Sequence, residues 1–286
     1  MPSESKGPPG SPASSDARPP RGPAPGDADQ GPDKLPDDPD RAPGPPPEPR
    51  QALREALLAF AAATALSAAL YWIGQAVPLV QRNLGGLVAL VFLGIAIHLL
   101  DRRREPLSRY GITWRPPVRG LAWGLGATVV VLGLFMVGYH LYFEAVCGQG
   151  ATLLGPLGRP CARWAGSNLA LGLPPRFAEQ VLGQLLVVAI PEEIFYRGYL
   201  LGRLERALPA RRALWGVPIG SAMLLQAALF GLGHFLMDFN PLRLGVAVPA
   251  LAFAFLRHKG GSIVAPVLFH AAANLLMLVV DSSYFP

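Results

Sequence analysis

Beyond about residue 55 the chain alternates long apolar stretches with short polar, arginine-bearing ones. Seven apolar segments stand out, at about 55–80, 84–100, 118–143, 177–202, 213–235, 241–256 and 262–280. Leu57 to Val80 and Gly120 to Phe143 each run 24 residues without a charge, where about 20 suffice to cross a bilayer. Lipid offers no partner for a backbone N–H or C=O, so stretches of this kind must satisfy their own hydrogen bonds as helices. The pattern predicts an all-α, polytopic transmembrane helical bundle of about seven spans. No internal repeat divides it.

Basic residues set the orientation, because Lys and Arg collect on the cytoplasmic side of short loops. With the N-terminus inside, the inner loops hold fourteen: Arg50 and Arg54, six arginines from Arg102 to Arg119, four from Arg203 to Arg212, then Arg257 and Lys259. The outer loops hold five: Arg82, Arg159, Arg163, Arg176 and Arg243. The predicted topology is therefore N-inside and C-outside.

Composition changes the picture at the N-terminus. Residues 1–50 carry 16 of the 31 prolines, nine acids and six bases, with almost nothing large and apolar. Such a segment cannot bury enough surface to offset its ordering entropy. It is expected to be a disordered, Pro-rich cytoplasmic tail on a helical domain spanning 51–286, and it lacks the pattern of a cleaved secretory leader. Without the tail, 19 bases face 10 acids, and because the bases lie between spans the partner they suit is anionic lipid rather than nucleic acid. Cys147 and Cys161 are the only cysteines, and both fall in the connection between the third and fourth segments. On an oxidising face they read either as a disulfide or as two free thiols.

The chemistry concentrates at Pro191-Glu192-Glu193-Ile194-Phe195-Tyr196-Arg197. Ionised groups at bilayer depth cost several kcal/mol unless paired or hydrated, so such a cluster reads first as a functional site. Pro191 is expected to kink or restart the helix, leaving both glutamates at a helical N-terminus where the dipole favours negative charge. Glu193 and Arg197, four apart, share a face and can pair. Glu192 points about 100° away. Without a local partner, it is the better general base for water. Further on, Phe230-Gly231-Leu232-Gly233-His234 places an imidazole near the end of the fifth segment, and His270-Ala271-Ala272-Ala273-Asn274 puts His270 and Asn274 on one face of the seventh. A neutral His and an Asn amide converging on one point suit a developing oxyanion. His98 and His140 have no polar companion at helical spacing and read as interior residues, while His258, between Arg257 and Lys259, reads as a loop cation.

The order Glu-Glu-x-x-x-Arg, Phe-x-x-x-His, His-x-x-x-Asn on late apolar segments resembles the CPBP family of intramembrane proteases, also called the CAAX-protease/bacteriocin-processing or Abi family. The resemblance covers about 171–286, and Tyr110-Gly111-Ile112-Thr113 is also typical of it. It implies an intramembrane endopeptidase in which Glu192 and His234 activate water, His270 with Asn274 binds the oxyanion, and Glu193 with Arg197 holds the base in place. Its substrate would be a membrane-associated protein or peptide: a prenylated tail, a leader peptide or a C-terminal sorting segment. The location implied is the inner membrane of a bacterial cell. No cofactor is required; were zinc used, Glu192, His234 and His270 would be the ligands. The alternative is a non-catalytic scaffold or bacteriocin-immunity protein of the same fold, whose polar cluster only holds the bundle together. A transporter is more distant, since no second broken segment is evident. One difficulty is depth. Glu192 and His270 lie roughly 12 to 15 Å from the cytoplasmic side at 1.5 Å per residue, whereas His234 falls near the outer end of its segment. A connection from Leu236 to Arg243 that dips below the surface, or a fifth helix delayed by Pro218, would bring it inward.

Overall fold

Proline opens the first three helices. Its fixed φ suits the first turn and its missing N–H is one of the donors that turn leaves free, and Pro49, Pro78 and Pro117 each occupy that position. The computed structural model describes residues 45–148, Cys161 and 172–284, all within one compact unit, Pro43–Pro286. The helices are α1 (Pro49–Ala76), α2 (Pro78–Arg102), α3 (Pro117–Cys147), α4 (177–207), α5 (Ser221–Asp238), α6 (Ala247–Gly260) and α7 (Val264–Tyr284). Five of them, α1, α2, α3, α5 and α7, are long and apolar enough to cross a membrane. Leu79, Leu90, Val129 and Leu134 stand exposed on the outside, a surface that suits hydrocarbon and not water. The protein is an integral, multi-span membrane protein with an all-α architecture.

Three sequence expectations need correction. The first two helices part at Val77, whose extended backbone precedes Pro78, and not at the polar Gln81–Asn83. Residues assigned to the start of the fifth helix form a hairpin instead: β1 (Arg212–Leu214) pairs antiparallel with β2 (Val217–Ile219). Trp215 and Gly216 both take positive φ there, the geometry that a two-residue hairpin turn needs. Third, the chain neither stops nor restarts at Pro191. Residues 177–207 stay helical throughout, with wide π-helical turns at Gly183–Ala189 and Ile194–Leu200 on either side of the short α-helical stretch Ile190–Glu193. Glu192 and Glu193 therefore sit mid-helix, with no free N-terminus to favour their charge. The expectations for the tail, other than residues 45–50, and for most of the α3–α4 connection lie outside the described residues.

Packing is tight along α1, whose buried positions Ala52, Ala56, Ala59, Phe60, Ala63, Thr64 and Ser67 recur at helical spacing. Small residues let helices approach closely where lipid supplies no hydrophobic drive. Against them lies an aromatic block of Phe92, Phe195, Tyr196, Phe230, Phe253 and Phe269.

The Tyr110–Thr113 stretch pins α4 from one end. A Cβ at Gly202 would come within 2.5 Å of the Tyr110 ring, and one at Gly198 within 2.7 Å of Ile112. Only glycine lets α4 lie this close to the loop. Ile263 N–H donates to the Gly111 carbonyl at 2.9 Å, tying the loop to the start of α7. At the same end Arg203, fully buried, pairs with Glu105 at 3.1 Å, Arg206 reaches the same carboxylate at 3.3 Å, and Arg103 pairs with Glu55. Burial pushes the Glu105 carboxyl up, but the Tyr110 hydroxyl bound to it and the Arg203 and Arg206 charges outweigh that and hold it below the usual carboxylate range. Burial first, and then that same hydrogen bond, push Tyr110 above the usual phenol range. His258 is not a loop cation: it ends α6 and meets Glu205 at 2.6 Å. His140 has a companion after all in Tyr284, at 2.9 Å.

Cys147 and Cys161 form a disulfide, and closing a loop of about 15 residues stabilises by roughly 3 kcal/mol on the chain-entropy account. The bond offers a test of the N-inside orientation. In intact cells a membrane-impermeant thiol reagent should label the two cysteines only after reduction. Labelling without reductant would contradict the bond, and labelling only after permeabilisation would reverse the orientation.

Candidate functional site

Four helices bring the six sequence-predicted residues together. α4 supplies Glu192, Glu193 and Arg197, α5 supplies His234, α7 supplies His270 and Asn274, and Phe253 of α6 closes the group. Glu193 and Arg197 are both completely buried, with Arg197 Nη1 2.8 Å from Glu193 Oε1. The guanidinium carbon lies 4.3 Å over the Phe230 ring and 4.6 Å from that of Phe253. Arg197 Nε and Nη2 find no hydrogen-bond partner, so the two aromatic faces take the place of acceptors around this cation. This gives the Phe of Phe-x-x-x-His a function: Phe230 is the plate on which Arg197 rests, and its carbonyl receives His234 Nδ1 at 2.9 Å.

His270 Nδ1 lies 2.8 Å from the same Glu193 oxygen, while its ring stacks on Phe253 at 4.7 Å and 16°. A carboxylate only accepts, so Nδ1 carries the proton of this contact. The expectation that Glu193 and Arg197 hold Glu192 is thereby corrected, because the side chain they hold is His270. The expectation of a neutral His270 donating to an oxyanion also changes. With Nδ1–H committed to Glu193, a neutral ring turns a lone pair towards Glu192, and Nε2 donates only when the imidazole is protonated on both nitrogens.

Glu192 Oε2 stands 3.9 Å from His270 Nε2, too far for a direct hydrogen bond and close enough for one water to touch both. The same oxygen has no hydrogen-bond partner. Asn274 Nδ2 donates to Gln184 Oε1 at 2.9 Å, leaving its second N–H unused. Sequence reading missed Gln184, although its signal was there: it is a lone amide in an apolar run, eight residues before Glu192 on the same helix.

Glu192, His234, His270 and Asn274 all line one cavity of about 590 Å³, whose other walls are apolar side chains, among them Val131 and Phe135 of α3, Val188 of α4, Phe253 of α6 and Met277 of α7. α5 begins only at Ser221 and is followed by a short 3₁₀ turn, Pro241–Val246, and within these boundaries His234 lines the same cavity as Glu192 and His270. An apolar groove of about 810 Å³ adjoins this cavity, and Val131, Ala252 and Phe269 line both. Among the described residues no three His, Cys, Asp or Glu side chains are grouped so as to hold a metal ion. The set Glu192, His234 and His270 does not fit zinc as arranged.

Residues 174–276, about a third of the chain, match the family model described as type II CAAX prenyl endopeptidase Rce1-like. The segment contains Glu192, Glu193, Arg197, Phe230, His234, His270 and Asn274, so the resemblance seen in the sequence is shown over that span, while Tyr110–Thr113 lies outside it. At family level the match supports an intramembrane protease of the CAAX type. No curated protein and no solved structure gives a significant match.

Proposed function

On the premise of that match, we propose that the protein is an intramembrane endopeptidase that hydrolyses a peptide bond near the end of a membrane-anchored substrate. The observation that carries this reading is the convergence of Glu192, His234, His270 and Asn274, from three helices, on one largely apolar cavity. Glu192 takes a proton from a water that also touches His270 Nε2. The hydroxide adds to the scissile carbonyl, and His234, across the same cavity, passes the proton from Glu192 to the amine nitrogen as the C–N bond breaks and the amine leaves. The developing oxyanion is met by the free N–H of Asn274, beside His270, whose ring the Glu193 carboxylate fixes through Nδ1. No step passes through a metal. The adjoining apolar groove accommodates the substrate's lipid-like anchor, which makes a prenylated tail the favoured substrate over a leader peptide or sorting segment. The membrane in question is that of a bacterial cell.

A scaffold accounts for the sealed Glu193–Arg197–His270 group but not for the gathering of Glu192, His234 and Asn274 along one cavity. The deciding assay incubates purified protein with a farnesylated peptide and with the same peptide lacking the lipid. The lipidated peptide should be cut with a k_cat/K_M at least tenfold higher, and 1,10-phenanthroline should leave the rate within about twofold. Loss of activity on chelation that zinc restores would make the enzyme a metalloprotease. Cleavage of neither peptide nor of any membrane-protein tail would leave the scaffold.

A further inference from the structure

A second, smaller pocket of about 160 Å³ lies against the site from the other direction. It borders Thr64 and Ser67 of α1, Tyr196 of α4 and Met237 of α5, and among the described residues it shares just Glu192 and His234 with the larger cavity. Those two side chains thus form a partition: α3, α6 and α7 wall the space on one side, α1 and α2 the space on the other. The α1 wall is chemically distinct. Its buried face is alanine at Ala56, Ala59 and Ala63 and turns to hydroxyls at Thr64 and Ser67, where the pocket begins.

These hydroxyls are 7% and 2% exposed as residues, yet neither Thr64 Oγ1 nor Ser67 Oγ has a hydrogen-bond partner. Buried helical Ser and Thr ordinarily bond a carbonyl one turn back, and an unsatisfied buried hydroxyl is costly. Both residues line this pocket, which has room for several waters. Arg243, a half-exposed side chain paired with Asp238 at 2.9 Å, also lines it. Hydrolysis consumes one water per turnover, and a substrate filling the apolar cavity shuts that approach to solvent.

We propose that the Thr64–Ser67 pocket is a water-binding port that delivers the hydrolytic water to Glu192 from the side opposite the substrate. The proposal rests on Glu192 being the base, and two measurements separate its failure from failure of that reading. The first is independent of activity. The native cysteines are bonded to each other, so Ser67→Cys introduces a lone thiol into the full chain. Methanethiosulfonate ethylammonium, a small hydrophilic reagent, should modify it in the folded, detergent-solubilised protein, whereas Ala59→Cys, on the dry part of the same face, should stay unmodified. An unreactive Ser67→Cys, or equal reaction at both positions, shows a dry void or general unfolding and overturns the port.

The second measurement is kinetic. Ser67→Leu fills the pocket without touching the substrate cavity, so k_cat should fall at least tenfold with K_M within about twofold, while Ser67→Ala, which keeps the space, should lose far less. Wild-type k_cat in folded Ser67→Leu, or a change confined to K_M, overturns the port. Should Ser67→Leu fail to fold, Thr64→Leu is read by the same criteria. An inactive wild type whose Ser67→Cys is still modified would remove the peptidase reading and leave a hydrated pocket.

Discussion

Glu192→Gln is expected to give a folded protein whose peptide hydrolysis is lower by about 10²-fold or more. The substitution keeps shape and hydrogen-bonding capacity while removing proton acceptance. It disturbs little else, because Glu192 Oε2 has no hydrogen-bond partner to lose. His234→Ala should behave in the same way, since its contact within the protein is to the carbonyl of its own helix. His270→Ala and Asn274→Ala should each lower turnover by about 3 kcal/mol of transition-state stabilisation. Peptide release measured beside a detergent melting curve separates these outcomes from unfolding. Full turnover in Glu192→Gln would end the hydrolase reading and make the polar cluster a packing device.

Arg197→Ala and Glu193→Gln should instead lose folded protein, by about 3–5 kcal/mol, because each strands a charge in a place that water does not reach. For Arg197 the loss is compounded: the guanidinium fills the space between Phe230 and Phe253, so alanine leaves a cavity as well as an unpaired carboxylate. Lysine should not rescue it, as an ammonium lacks the flat faces that meet two rings. In Glu193→Gln the unpaired cation and the released His270 share one origin, the oxygen that both contact at 2.8 Å. The measurement is the midpoint of thermal unfolding in detergent, with yield as a second readout. A Glu193→Gln variant that melts like the wild type yet does not turn over would show that the pair serves proton chemistry at His270 and contributes little to the bundle.

Much of this was legible in the chain. Apolar run lengths gave the helices, and the three short motifs gave the six residues that the fold assembles. Three things were not legible, for identifiable reasons. Hydropathy does not distinguish an apolar hairpin from the start of a helix, and at Leu214–Ile219 the difference lies in the positive φ of Trp215 and Gly216, which hydropathy does not report. Spacing says which residues share a helix face but not which helix lies opposite, so Glu193 was assigned to hold its neighbour Glu192 when its partner is His270, 77 residues away. Gln184 carries no motif. It matters because Asn274 meets it, and only packing reveals that.

The wide turns at Gly183–Ala189 and Ile194–Leu200 set the phase of α4. A π-helical turn accommodates an extra residue without breaking the helix, advancing less per residue and rotating all that precedes it relative to all that follows. Gln184 and Glu192 are separated by such a turn, and so are Glu193 and the Gly198–Gly202 seat beneath Tyr110. The spacing of this helix is therefore a specification in its own right: a one-residue deletion could keep every apolar position apolar and still turn Gln184 away from Asn274. For this segment a sequence alignment has to respect residue count before hydrophobicity, because phase along the helix decides which side chains meet.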